Sequence, residues 1–188
     1  RKKKMAARLV FPILLVLLVG GSHAALASVE ETCANATKGS NREDLDGFCV
    51  TTLQAAPGSA TADTHGLAVI ATNLTLANYT AAVATIKDLQ RQGGWSDDQQ
   101  AALATCRQRY IEALNVVHSA VHALATRRKQ AYVADMGAVR RAATDCDDAL
   151  ANIPAAAAAD NNKDSPMRKV NGDAEDLTTV AMLIVMLL

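Results

Sequence analysis

Four cysteines, Cys33, Cys49, Cys106 and Cys146, and a histidine pair, His118 and His122, are the side chains best suited to covalent or metal chemistry. Two histidines four apart on a helix can hold zinc when a third ligand follows and a catalytic carboxylate sits beside the first. The stretch "HSAVH" has no glutamate after His118, so the pair reads as two rim histidines on the flank of a helix. The cysteines form no CxxC, and no GxSxG, P-loop or glycine-rich nucleotide signature occurs. Nothing points to catalysis, a cofactor or a resident metal, and the chain is expected not to be an enzyme. What remains for the thiols is cross-linking.

That role depends on the compartment. "MAARLVFPILLVLLVGGSHAALA" has a basic start, an apolar run from Leu9 to Val19 and small residues at Ala25 and Ala27. Residues 1–27 therefore read as a secretory signal peptide with an A-x-A cleavage site, with Met5 as a possible initiator after "RKKK". The apolar run is too short for a comfortable membrane span. Residues 28–188 are expected to form one domain. An even cysteine count in an exported chain implies two disulfides, for which arithmetic alone allows three connectivities.

Removing the leader also alters the charge. It takes away Arg1, Lys2, Lys3, Lys4 and Arg8 and no acid, so 19 cations against 19 carboxylates become 14 against 19, a net −5. Such a chain is a poor nucleic-acid binder, is expected to be repelled by a polyanionic polysaccharide, and suits a basic protein partner. The acidic clusters "EETC", "REDLD" and "TDCDD" read as solvated faces that could steer such an encounter.

The elements that position the cysteines follow from periodicity. Alanine is abundant and no alternating strand pattern persists, so the chain is predicted all-α. Ala60 to about Gln92 reads as one helix with a stripe of Leu67, Ile70, Leu74, Ala77, Ala81 and Ala84, ended by "QGG". Ser96 with Gln99 makes a capping box for the next helix, strengthened by Asp97 and Asp98. Its heptads place Leu103, Tyr110, Val117 and Leu124 in one row and Cys106, Ala113 and Ala120 in the other, widened by Leu114 and Val121. After the basic "TRRKQ", a third seam holds Tyr132, Met136, Val139, Ala143, Cys146 and Leu150. Consecutive helices joined by a short turn run antiparallel, so early Cys106 faces late Cys146. That pairing leaves Cys33 with Cys49, in a stapled helical hairpin over 28–57 that precedes a four-helix bundle over 58–188. "ANIPAAAAADNNKDSPMRKVNG" reads as a linker. "DAEDLTTVAMLIVMLL" follows as a core-filling helix with Leu177, Val180, Ile184 and Leu187 inward. Its spacer is too short for a lipid-anchor signal, and no stable membrane association is expected. Of three sequons, Asn35 and Asn73 are the better glycosylation candidates, and Asn78, near the Leu74 stripe, the weaker one.

At these residues the chain resembles the plant invertase and pectin methylesterase inhibitor family. The resemblance rests on a cysteine soon after the leader, "FCVTTL" at Phe48 to Leu53, "ATCRQRYIEAL", "AVRRAATDCDDAL" and the ending "LTTVAMLIVMLL". It implies an up-and-down four-helix bundle behind a helical hairpin, first cysteine paired with second and third with fourth. It also implies a secreted or vacuolar protein that blocks the cleft of a carbohydrate-active enzyme. Pectin methylesterase is the expected target, acid invertase the alternative, and a structural bundle without an enzyme target a third. Invertase inhibitors often carry Pro-Lys-Phe between the second and third bundle helices; here "TRRKQAYVADM" has no proline. Methylesterase inhibitors commonly place threonine before the last cysteine, where this chain has Asp145, with Thr144 one position earlier.

Overall fold

The computed structural model describes residues 28–42, 44–152 and 165–188. The leader expected over 1–27 lies outside them. Six α-helices and one 3-10 turn make up the fold: α1 (Val29–Thr37), α2 (Asp44–Gln54), α3 (Thr64–Gln92), α4 (Asp97–Ala125), α5 (Lys129–Ala151) and α6 (Arg168–Met186), with the turn at Ser59–Thr61 before α3. No strand occurs among the described residues.

Helices α1, α3 and α4 start where a side chain takes over an orphan backbone N–H. Ser28 Oγ accepts from Glu31 N at 3.1 Å, and Asp63 Oδ1 from Gly66 N at 2.7 Å. At α4 the box is reciprocal. Ser96 Oγ accepts from Gln99 N at 3.3 Å, while Gln99 Oε1 accepts from Ser96 N at 2.9 Å. Gly93 and Gly94, with φ of 72° and 80°, break α3 from α4 in a backbone region where side chains are strained. Trp95 Nε1 then donates to Leu89 O at 2.7 Å, tying the turn back onto α3.

The turn from α4 to α5 has the Schellman pattern. Arg128 N donates to Ala123 O at 2.8 Å and Arg127 N to Leu124 O at 3.0 Å. Arg127 takes the left-handed position, φ 55°, where glycine is usual and an L residue costs about 1 kcal/mol more. The turn is tight enough to make α4 and α5 antiparallel neighbours.

In the bundle α3, α4, α5 and α6 follow one another around a ring that closes between α6 and α3. The α1–α2 hairpin packs on α6 and touches α3, so it covers one side of the ring and leaves the α4–α5 side clear. Arg42 pins it there, reaching both Asp44 at 2.7 Å and Asp176 of α6 at 2.8 Å. That guanidinium holds the Asp44 carboxyl below the usual carboxylate range.

The core revises three expected helix faces. On α3 Leu67 is buried as expected and Ile70 and Leu74 pack against the core, but the buried row continues through Ala68, Thr72, Thr75, Tyr79, Ala82 and Ile86, and Ala77, Ala81 and Ala84 of the predicted stripe are exposed. Threonine enters the core because its hydroxyl is satisfied within the helix: Thr72 donates to Ala68 O at 2.7 Å and Thr75 to Ala71 O at 3.0 Å. On α4 the heptad rows are buried, but Val121 is 38% exposed. The last helix begins at Arg168 rather than Asp173, and the presumed linker residues Met167 and Asn171 are fully buried. Leu177, Val180 and Ile184 are buried as expected, but the seam also takes in Met167, Asn171, Ala174, Thr178, Ala181 and Val185, and Leu187 lies 43% exposed. Asn171 and Thr178 interrupt the apolar pattern and hid its start.

All three tyrosines of the chain cross this core, and each finds a partner for its hydroxyl. Tyr79 Oη donates to Val139 O at 3.1 Å and lies 3.1 Å from Thr178 Oγ1. Tyr132 Oη sits 2.7 Å from Thr72 Oγ1. Tyr110 Oη donates to Asn171 Oδ1 at 2.7 Å, and Asn171 Nδ2 donates onward to Asp147 Oδ1 at 2.5 Å. The Tyr79 and Tyr110 rings meet with centroids 5.0 Å apart and planes tilted by 59°. Burial pushes Tyr79 and Tyr132 up to about 12 each, and raises Tyr110 as well.

An alkaline titration should expose that burial. A free tyrosine ionises at about pH 10, so above it the unfolded chain sheds protons that the native chain keeps. The stabilisation is complete below that pH and is lost as pH rises through about 12. No phenolate absorbance should develop in the native protein near pH 10, and it should appear together with loss of helical circular dichroism. Phenolate forming near pH 10 with the helices intact would contradict the buried network.

Candidate functional site

With no catalytic cluster to build from, the site is a surface, and the cysteines decide which surface is rigid. Cys33 of α1 and Cys49 of α2 are bonded, Cα–Cα 5.8 Å, inside the hairpin. Cys106 of α4 and Cys146 of α5 are bonded, Cα–Cα 4.5 Å, and both are fully buried. The second bridge crosses the seam between the two helices that face away from the hairpin.

Polar contacts extend that cross-link along the outside of the seam. Arg109 Nε reaches Asp145 Oδ2 at 3.4 Å across the groove, while its Nη1 meets Glu112 Oε2 at 3.2 Å within α4. Gln108 Nε2 donates to Glu112 Oε1 at 2.7 Å. That hydrogen bond, with Arg109 beside it, holds the Glu112 carboxyl below its ordinary range. Nearer the α4–α5 turn, Ser119 Oγ donates to Asp135 Oδ2 at 2.8 Å. The groove therefore presents a fixed alternation of donors and acceptors.

Thr144 and Asp145 diverge. Asp145 turns to α4 and Arg109, whereas Thr144 Oγ1 donates to Glu175 Oε1 of α6 at 2.9 Å. The two residues before Cys146 thus serve opposite flanks of α5. The cross-helix partner of Asp145 could not be read from the sequence, since Arg107 and Arg109 were equal candidates; Arg107 instead reaches Gln90 of α3 at 3.3 Å.

His118 and His122 are exposed on α4. No group of three His, Cys, Asp or Glu among the described residues is arranged to hold a metal. Asn35 and Asn73 are exposed on α1 and α3. Asn78 is half-buried, with its Oδ1 buried and lacking a hydrogen-bond partner among the described residues. Helix α3 is long and apolar enough to cross a bilayer, yet its buried row is part of the bundle core.

The family model described as plant invertase/pectin methylesterase inhibitor matches residues 27–184. Among solved structures, mutant form A of a pectin methylesterase inhibitor from Arabidopsis superposes with a TM-score of 0.67 at 20% identity, over 86% of this chain and 97% of its own. A pectin methylesterase inhibitor from Arabidopsis thaliana gives a TM-score of 0.59 at 19% identity, over 84% and 95%. At such identities the likeness is one of fold. No curated protein sequence matches.

Proposed function

The chain belongs to the plant invertase/pectin methylesterase inhibitor family, and on that premise we propose that it is an exported protein inhibitor of a pectin methylesterase. It docks reversibly, laying the α4–α5 face of its bundle across the enzyme's active-site cleft. In this reading the protein works in the cell wall, the vacuole being the secondary location, and takes glycans at Asn35 and Asn73. It performs no catalysis of its own.

The observation that supports the docking face is the Cys106–Cys146 staple. A surface whose two helices are covalently joined loses little conformational freedom on binding, and preorganisation raises affinity by removing that cost. The Arg109–Asp145 and Ser119–Asp135 contacts act in the same direction. The hairpin on the α3–α6 side is not in the way.

The deciding assay titrates the purified protein against a pectin methylesterase and an acid invertase side by side, at the pH of the cell wall. Dose-dependent loss of methylesterase activity alone is the expected result. Inhibition of invertase alone would transfer the same fold to the other target of the family. Activity unchanged in both would leave a structural bundle without an enzyme target. Asp145→Arg, which breaks the pair with Arg109 and reverses one charge on the face, should weaken methylesterase inhibition about tenfold or more. Unchanged inhibition by that variant, with the fold intact, would move docking to another face.

A further inference from the structure

Helix α5 opens on a concentration of uncompensated positive charge. From Arg127 to Arg141 there are five cations, Arg127, Arg128, Lys129, Arg140 and Arg141, and a single carboxylate, Asp135. That carboxylate accepts from Ser119 on the α4 side. Several other cations have acidic partners, Arg42 with Asp44 and Asp176, Arg91 with Asp88, Arg109 with Glu112 and Asp145, Lys169 with Asp173, whereas Lys38, Lys87 and Arg107 stand singly on other elements without an ion pair among the described residues. None of the five on α5 forms an ion pair among the described residues. Arg128 donates to Thr126 Oγ1 at 3.1 Å and Lys129 to Met186 O at 3.0 Å, acceptors that leave both charges unbalanced.

The backbone sets where the first of these cations stands. Arg127 is the one non-glycine residue at positive φ among the described residues, held at the exposed apex of the turn where glycine would be unstrained. That conformation is the cap that ends α4, and it leaves the Arg127 side chain exposed beside Arg128. From that apex the cations continue along the helix. Lys129, Val133, Gly137 and Arg141 stand at four-residue spacing on one ridge, with Arg140 beside the last. Arg128 and Arg141 are about 20 Å apart at the rise of an α-helix. Between the two groups of cations the ridge carries Val133 and Gly137, with the exposed Gln130 and Ala134 beside them.

We infer that this strip binds a linear polyuronate, the carboxylate form of a pectic chain whose methyl esters have been hydrolysed. A regular row of carboxylates on an extended chain can reach both groups of cations, three at the α4–α5 turn and two about 17 Å further along α5. The compact acidic patch of a folded protein would meet only one end of it. The excess of carboxylates elsewhere on the chain does not cancel the strip, because in physiological salt charges beyond about 8 Å are largely screened. Asp145, the next residue on the ridge and paired with Arg109, with Asp148 beyond it and Glu175, which accepts from Thr144 on the α6 side, marks where the strip stops. The choice of a pectic chain rests on the inhibitor reading above; the unpaired cations do not.

The test needs no enzyme. The full protein is run over immobilised polygalacturonate and over the same chain fully methyl-esterified. Retention is expected on the acid form at low salt, none on the neutral ester, and release by about 0.5 M salt, where screening falls to about 4 Å. The quartet Arg127→Gln, Arg128→Gln, Arg140→Gln and Arg141→Gln keeps helix-forming side chains on α5 and should bind about tenfold more weakly or worse, as expected when backbone-type charge contacts are removed. The matching quartet of lysines keeps the charge and should retain binding. No retention of the wild type, equal retention on the ester, or an undiminished glutamine quartet would each overturn the inference, as would loss of binding in the lysine quartet. A glutamine quartet that loses methylesterase inhibition, in a protein that never bound polyuronate, would reassign the strip to an acidic protein surface. Retention without inhibition of either enzyme would keep the strip and sink the inhibitor reading.

Discussion

Replacing both Cys106 and Cys146 by alanine is expected to destabilise the protein by about 4 kcal/mol on the loop-entropy model. The bridge closes a separation of 40 residues in the unfolded chain, against 16 for Cys33–Cys49, which by the same relation contributes about 3 kcal/mol. Both sulfurs of the longer bridge are fully buried, so truncation to alanine also leaves unfilled space in the α4–α5 seam and adds to the loss. Removing both cysteines avoids a free thiol that could pair wrongly. The measurement is the urea midpoint of the double variant against the wild type, with peptide mapping to verify the remaining Cys33–Cys49 bond. A midpoint that does not move would mean the cross-link is matched by strain in the native seam.

The second large effect lies in the tyrosine network. Tyr110→Ala should cost about 3–5 kcal/mol, because it removes a fully buried ring that packs against Tyr79. Tyr110→Phe isolates the polar part. It keeps the ring but strands Asn171 Oδ1, which is buried and receives that hydroxyl, and should cost about 1–3 kcal/mol. Asn171→Leu combined with Tyr110→Phe replaces both partners with apolar groups and should recover part of the loss, since neither is then unsatisfied. The coupling read from this double-mutant cycle is the test of the network. If Tyr110→Phe behaves like the wild type, the hydroxyl does not help to fix how α6 seats against α4.

These two effects fall on opposite sides of what could be read in advance. The cysteines of α4 and α5 stood out because each lies in an uninterrupted apolar seam, and a short turn leaves no orientation but antiparallel. Ser96 with Gln99, and the glycines at 93 and 94, marked the α3–α4 junction for equally local reasons. The tyrosine network was not legible. Its members Thr72, Thr75, Asn171 and Thr178 count as polar in any periodicity, and became core residues only because carbonyls four residues back, or a tyrosine from another helix, satisfied them. The predicted α3 stripe was consequently rotated onto the exposed Ala77, Ala81 and Ala84, and α6 was started a turn late.

The surface shows the same division. Composition counted Arg127, Arg140 and Arg141 into a chain with more carboxylates than cations beyond residue 27, and from that balance polyanions looked excluded. Position alone separated them. The fold pairs Arg42 and Arg109 with carboxylates from neighbouring elements, and leaves Arg127, Arg128, Arg140 and Arg141 without any among the described residues.

By itself, then, the sequence determined the all-helical class, the α3–α4 junction, and the covalent partner of Cys106, because each depends on neighbours in the chain or on a single antiparallel turn. The tertiary structure alone decided which side of α3 faces inward, where α6 begins, that Asp145 pairs with Arg109, and which cations remain unpaired. Those outcomes depend on groups 24 to 134 residues apart in sequence, such as Asn171 with Asp147 or Arg42 with Asp176. A polar side chain's preference for core or surface is set by the partner it meets there, and that partner is not encoded in its own periodicity.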